Sequence, residues 1–155
     1  MEESLSLARE LEVAIWIGWS LHGLATAAWL EGDDVRATAL YRESLHHYWG
    51  TGDKWGIANC LDGLALVACS QRHPVQNTAP TEDMRNAMRG ARLLGAVEAI
   101  REITHNPRSV AEIAWIECAI TEARSALGEE TFATAWAEGH AMTMAQACEY
   151  ALKVE

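Results

Sequence analysis

In the first half of the chain, long apolar runs suited to helices are interrupted by short glycine–aspartate signals. A helix is predicted over residues 13–31, where Gly32 ends it and Asp33 caps the next one, which runs to about residue 49. Gly52 and Asp53 repeat the same signal ahead of a helix that reaches residue 71. A shorter helix over residues 2–11 comes first. The pattern therefore predicts consecutive helices joined by very short connections.

A break in this pattern separates the two halves of the chain. Residues 72–81 contain two of the three prolines and are predicted to form a loop. Capping residues and a glycine then mark the helix ends of the second half. These signals are Thr81, Asn106-Pro107 or else Ser109 with Glu112, Gly128, and Thr143 with Gln146. They complete a set of seven or eight predicted helices, the last ending near residue 153.

The first half also repeats itself with a shift of 40 residues, giving nine identities in one 26-residue window. The shift joins Glu3, Ser4, Leu5, Ile17, Leu21, Gly23, Leu24, Ala25 and Ala28 to Glu43, Ser44, Leu45, Ile57, Leu61, Gly63, Leu64, Ala65 and Ala68. Internal periods of this size are typical of solenoids built from helical hairpins. The recurring Gly23 and Gly63 predict a close helix contact in each unit, at a cost of about 1 kcal/mol in helix propensity.

The small and large apolar positions of this unit resemble those of the tetratricopeptide repeat. The matching residues are Leu24, Ala25, Ala28, Gly32, Ala37, Tyr41 and Leu45. The usual unit has about 34 residues, whereas this one has about 40. Longer units of this kind resemble those of bacterial regulatory ATPases and LuxR-type transcriptional regulators. Residues 91–102 and 123–152 look like the closing segment of the same proteins.

This resemblance implies an all-α, tetratricopeptide-like α-solenoid of antiparallel helical hairpins with a C-terminal capping helix. One domain is expected over residues 1–155, with about one and a half repeats in 2–72, a loop in 73–82, and a degenerate repeat with the cap in 83–155. The resemblance also implies that chemistry and DNA binding belong to upstream domains of a longer protein. Neither a phosphate-binding glycine loop nor a helix-turn-helix with a basic face occurs in this sequence.

Composition narrows the classes of function. The net charge of −10 argues against direct nucleic-acid binding, which depends on cationic side chains. The four cysteines form no C-x-x-C pair and indicate reduced thiols in a cytoplasmic protein. Residues 13–30 carry no formal charge, but the polar Ser20, His22 and Thr26 favour a packed helix over a membrane span.

One end of the chain is expected to be apolar and unpartnered. Residues 2–11 match the second helix of a hairpin, yet no first helix precedes them, and Leu5, Leu7 and Leu11 give this helix an apolar face. Solenoid ends normally carry a polar cap. We expect this edge to contact upstream domains of the same protein or to form a homodimer.

The candidate binding groove lies on the helix of residues 13–31. Trp19, His22, Thr26 and Trp29 follow one another at spacings of three, four and three and share one stripe. By resemblance to tetratricopeptide repeats, this stripe lines a concave groove, and Asn59 and Asp62 follow at the equivalent positions one unit later. Aromatic anchors among polar groups suit a protein or peptide partner. The alternative is that the tryptophans pack against adjacent helices.

Other candidates for chemistry are weaker. Arg85, Arg89 and Arg92 form a basic stripe that is interpreted as a solvated face. Adjacent His46 and His47 point about 100° apart on a helix, which disfavours a shared metal ion. No catalytic residues, metal ligands or cofactors are predicted. The expected function is a non-catalytic protein-interaction or regulatory module, the C-terminal part of a larger bacterial regulator; the alternative is a small-ligand sensor with a Trp-lined pocket.

Overall fold

A computed structural model describes residues 1–70 and 80–153, except for the side chains of residues 80 and 81. Within these ranges the chain forms eight α-helices and no strand. The helices are α1 (Glu2–Glu10), α2 (Ala14–Glu31), α3 (Asp34–Thr51), α4 (Lys54–Cys69), α5 (Pro80–Thr104), α6 (Val110–Leu127), α7 (Glu129–His140) and α8 (Met144–Leu152). The expected all-α class is confirmed.

Local capping chemistry sets the helix ends in the first half. Gly32 and Gly52 end α2 and α3 in the left-handed conformation, with φ of 85° and 71°. The carboxylates of Asp33 and Asp53 then accept hydrogen bonds from backbone N–H groups of the helices that follow. Both predicted glycine–aspartate signals are confirmed.

Two capping boxes set helix starts in the second half, Ser109 with Glu112 and Thr143 with Gln146. Because Ser109 caps α6, the alternative start at Asn106-Pro107 is wrong. The side chain of a serine gives the first-turn N–H groups an acceptor, which the Asn-Pro pair does not supply here.

The predicted loop falls only partly within the described residues. Helix α5 begins at Pro80, so Thr81 lies inside this helix instead of capping it. A proline suits the first helical position because its missing N–H has no intrahelical partner there. Residues 72–79 of the predicted loop, and residue 71 at the predicted end of α4, lie outside the described residues.

Helix α3 packs between α2 and α4 through tyrosine rings that lie over glycines. The ring of Tyr48 occupies the space beside Gly18 of α2 and Gly56 of α4, where added Cβ atoms would crowd it. Close by, the Ser44 hydroxyl donates a 2.7 Å hydrogen bond to the carbonyl oxygen of Gly18. It also accepts one from the Cys60 thiol at 3.2 Å. Glycine thus allows three helices to meet in one layer.

The 40-residue shift holds in the packing as well as in the sequence. Gly23 faces Met1, and Gly63 faces Tyr41, the residue 40 positions after Met1. Two buried sets are related in the same way. They are Leu5, Ala8, Ile17 and Leu21 in the first unit, and Leu45, Tyr48, Ile57 and Leu61 in the second.

The predicted equivalence of Gly23 and Gly63 is therefore confirmed for the neighbour each one faces, but not for the tightness of the contact. A Cβ at Gly63 would overlap the buried ring of Tyr41, so this glycine is required for the packing. At Gly23 the neighbour is the flexible end of the Met1 side chain, which can move. Only the second unit needs its glycine.

The remaining helices complete the core around α5. This helix contacts α4, α6, α7 and α8, and α2, α4 and α6 also touch in turn. Its crossing with α7 brings backbones together, because added Cβ atoms at Gly95 and Gly139 would overlap the carbonyls of Trp136 and Arg92. Over the described ranges, no helix is long and apolar enough to cross a membrane.

Candidate functional site

The predicted stripe of α2 runs from solvent into the core. Trp19 is 60% exposed, His22 and Thr26 are half-buried, and Trp29 is only 4% exposed. The four side chains share a helix face, as predicted, but they do not share one environment. Only Trp19 offers a large apolar surface to a partner.

His22 and Thr26 are held by Tyr41 of α3. The His22 ring meets the Tyr41 ring edge-on, with 5.5 Å between centroids. The Thr26 hydroxyl donates to the carbonyl oxygen of His22 at 3.0 Å and lies 3.0 Å from the Tyr41 hydroxyl. Because a threonine hydroxyl has one hydrogen, Tyr41 is the donor in the second bond. This chain of contacts fixes the middle of the stripe.

Burial controls the charge of these two rings. It lowers the pKa of His22, against the opposing effects of a hydrogen bond to the Asn59 backbone and the negative charges of Glu112 and Asp62. Burial likewise raises the pKa of Tyr41 to about 12, although the Thr26 hydrogen bond acts in the other direction. Both groups are therefore neutral at pH 7 and are suited to packing and hydrogen bonding.

Trp29 is a packing residue. Its indole meets Trp115 of α6 edge-on, with 5.3 Å between ring centroids. A cavity of about 80 Å³ adjoins this pair and is also lined by Leu66, Ser70, Cys118, Ala119 and Glu122. Neither Trp19 nor His22 lines this cavity. For Trp29, the alternative of packing between helices describes the geometry.

Asn59 and Asp62 lie on α4 beneath two arginines that sequence reasoning did not identify. Asp62 accepts hydrogen bonds from Arg101 at 2.8 and 3.2 Å, and from Arg108 at 2.8 and 2.9 Å. Asn59 accepts a further bond from Arg101 at 2.7 Å. Glu98 accepts from Arg108 at 3.0 Å. We call these five side chains the buried charge cluster.

The buried charge cluster balances two positive charges with two negative ones, and the Asp62 oxygens are already engaged. Burial opposes the charge of Arg108, but Asp62 and Glu98 outweigh it and raise the pKa of this arginine. The cluster ties α4 to the end of α5 and to the segment before α6. Asn59 and Asp62 thus support the groove from within, and a partner would not reach them directly.

A sequence signal for this cluster exists. Asp62 sits in the apolar run CLDGLALVA, and a carboxylate in such a position requires a cationic partner when buried. The partner itself is not identifiable from spacing, because Arg101 and Arg108 follow 39 and 46 residues later.

The basic stripe on α5 is not a solvated face, which corrects the earlier interpretation. Arg89 donates to the carbonyl oxygens of Tyr150, Ala151 and Lys153 at 3.0–3.2 Å, satisfying the C-terminal end of α8. Arg92 pairs with Glu138 of α7 at 2.6 Å. Of the three, only Arg85 is exposed. The stripe fastens the C-terminal helices to α5.

The described residues offer little for metal or covalent chemistry. Among them, no group of three or more His, Cys, Asp or Glu side chains could hold a metal ion. Burial raises the pKa of Cys60 and Cys69 to about 12 and of Cys148 to about 11, which keeps these thiols protonated. Cys118 is exposed.

A large apolar surface covers the hairpin of α1 and α2. Its members are exposed by 43–60% and are Leu7, Leu11, Ile15, Trp16 and Trp19. We call this surface the N-terminal face. Leu5, which was expected on the same edge, is buried instead, because it packs with Ala8, Ile17 and Leu21 between the two helices.

Comparison with known proteins links the chain to regulators. Over 122 residues it is 33% identical to "Putative HTH-type transcriptional regulator Rv0890c" of Mycobacterium tuberculosis and, equally, to "Putative HTH-type transcriptional regulator Mb0914c" of Mycobacterium bovis. The match covers 79% of this chain but only 12% of the length of those relatives. No protein-family model matches the chain, and no solved structure matches it.

Proposed function

We propose that this chain is a non-catalytic, protein-binding module of a bacterial transcriptional regulator, built as a tetratricopeptide-like α-solenoid. The 40-residue register of the contacts supports the solenoid, since Gly23 faces Met1 as Gly63 faces Tyr41. The similarity to mycobacterial HTH-type regulators supports the regulatory context. The expected location is the cytoplasm, where such regulators meet DNA.

One observation carries the proposal: the polar groups of the candidate groove face each other, while its largest apolar side chain faces solvent. Asp62 is engaged by two arginines, and His22 and Tyr41 are neutral and hydrogen-bonded. Trp19 remains 60% exposed. Such a surface suits binding through aromatic contact and provides no activated nucleophile or acid–base pair.

DNA contact is assigned in this proposal to other parts of the regulator. A chain with net charge −10 repels the phosphate backbone, and protein partners are the better fit for its exposed apolar surface. Those partners include the upstream domains that the resemblance implies. In this role the module would change the activity of a regulator by holding its parts together.

The alternative, a small-ligand sensor, has less support from the geometry. The cavity beside Trp29 and Trp115 has a volume of about 80 Å³. Ligand pockets typically have roughly 300–1,000 Å³. Trp19 and Trp29 do not line a common cavity there, so the Trp-lined pocket that a sensor needs is not formed by this pair.

Photo-cross-linking in cells tests the proposed function. Replacing Trp19 with a photoreactive benzoylphenylalanine should give a discrete cross-linked protein. The same replacement at Trp55, a tryptophan of similar exposure (51%) on the next unit, serves as the matched control. Trp19→Ala should then weaken binding of the captured protein by about 2 kcal/mol in titration calorimetry. Absence of any cross-link at position 19, or equal capture at both positions, contradicts the proposal.

A further inference from the structure

The repeat register shows what normally covers the position of Trp19. Its counterpart in the second unit is Asn59, which is 7% exposed. Asn59 is covered because α2 lies beside α4 and His22 bonds to the Asn59 backbone. In the described part of the chain, no helix takes the corresponding place beside α2. The position that a neighbouring helix covers in one unit is therefore open in the other.

The side chains at this open position are large and apolar. Trp16 and Trp19 are 55% and 60% exposed and lie one turn apart on α2. A polar solenoid end would place charged side chains here. The five residues of the N-terminal face expose an area on the order of 500 Å² when tryptophan is taken as roughly 200 Å². A patch of this size marks an interaction surface.

Charge selects the occupant. The chain carries a net charge of −10, so two copies repel each other over most of their surfaces. Residues 13–30 contain no charged side chain, which makes α2 the one long stretch where two copies can meet without opposing acids. An uncharged surface also gives no preference for a basic partner. A second α2 presents the same neutral, aromatic surface in return.

We propose that a second copy of this chain docks on the N-terminal face, with α2 against α2 about a two-fold axis. The inference rests on the proposed protein-binding function and names the partner at one surface. The contact is isologous, since Trp16 and Trp19 of each copy meet the same face of the other. Its area is below the ~800 Å² per partner of a standard interface, so the dissociation constant is expected in the micromolar range.

Sedimentation equilibrium of the whole chain over about 1–500 µM tests the dimer. The native chain should shift from monomer to dimer across this range. The double variant Trp16→Ala with Trp19→Ala should raise the dissociation constant at least about tenfold. Trp55→Ala, the matched control, should leave it unchanged. If the double variant loses its helical circular dichroism, Trp19→Glu replaces it, because this change puts like charges across the axis without altering the core.

Three results would overturn the inference. They are a monomer throughout the range, equal weakening by Trp55→Ala, and assemblies that keep growing beyond a dimer, which indicate head-to-tail stacking. A monomer combined with a cross-link from position 19 to another protein refutes the dimer and leaves the proposed function standing. A dimer with no other cross-linked protein supports the inference and limits the function to self-association.

Discussion

The buried charge cluster gives the sharpest test of how this fold is held together. Asp62, Arg101 and Arg108 have side chains that are at most 12% exposed, and one carboxylate faces two guanidinium groups. Asp62→Asn keeps the shape of the side chain and removes its charge. One asparagine oxygen cannot replace four accepted hydrogen bonds, and the new amide N–H groups point at positive donors.

The expected loss of stability follows from the charge left behind. Glu98 still pairs with Arg108 at 3.0 Å, but Arg101 keeps only the neutral Asn59 and the Asn106 carbonyl. Removing one partner of a buried ion pair typically costs about 3–5 kcal/mol. Since a domain of this kind has roughly 5–15 kcal/mol in total, the variant should be folded but marginal.

Urea unfolding followed by circular dichroism measures this loss. The matched control is Glu43→Gln, which removes the same charge from the Arg9–Glu43 pair, where both side chains are about half exposed. That change should cost at most about 1 kcal/mol. If Asp62→Asn costs no more than Glu43→Gln at equal m-values, the cluster is solvated and its assigned role is wrong.

Further predictions concern packing, the stripe and pH. Gly63→Ala should lower the free energy of unfolding by about 1–3 kcal/mol through overlap with a tyrosine ring, whereas Gly50→Ala, with no atom within 4 Å, should raise it by about 0.5–1 kcal/mol; equal effects would refute the packing role. Trp29→Ala should cost about 3–5 kcal/mol and Trp19→Ala below about 1 kcal/mol in urea unfolding; large losses in both would remove the groove. The lowered pKa of His22 means that the unfolded chain binds its proton more readily, so stability should fall as pH drops below 6.5, and His22→Gln should reduce that fall; identical pH profiles would contradict this.

Local chemistry made much of the fold predictable. Gly32, Asp33, Gly52 and Asp53 mark helix ends by backbone conformation and capping, which depend on a few neighbouring residues. The 40-residue repeat was visible because identical side chains fill identical places in successive layers. These features need no knowledge of distant contacts.

The candidate site depended on distant contacts, and prediction was weaker there. Trp19 and Trp29 lie on one stripe of α2, but Trp115 of α6 covers only Trp29. Likewise, Arg89 was expected in solvent until the end of α8 supplied its carbonyl acceptors. Periodicity identifies a helix face, but it does not identify which later helix will cover that face.

The contrast between Trp19 and Asn59 links the fold to the proposed function. The two residues occupy equivalent positions, and each has the chemistry that its surroundings require. A polar side chain at the covered position is stable because Arg101 satisfies it at 2.7 Å. A tryptophan at the open position gains nothing from water and gains area and hydrogen bonding from a partner. The site of interaction is therefore expected where the repeat lacks its neighbouring helix.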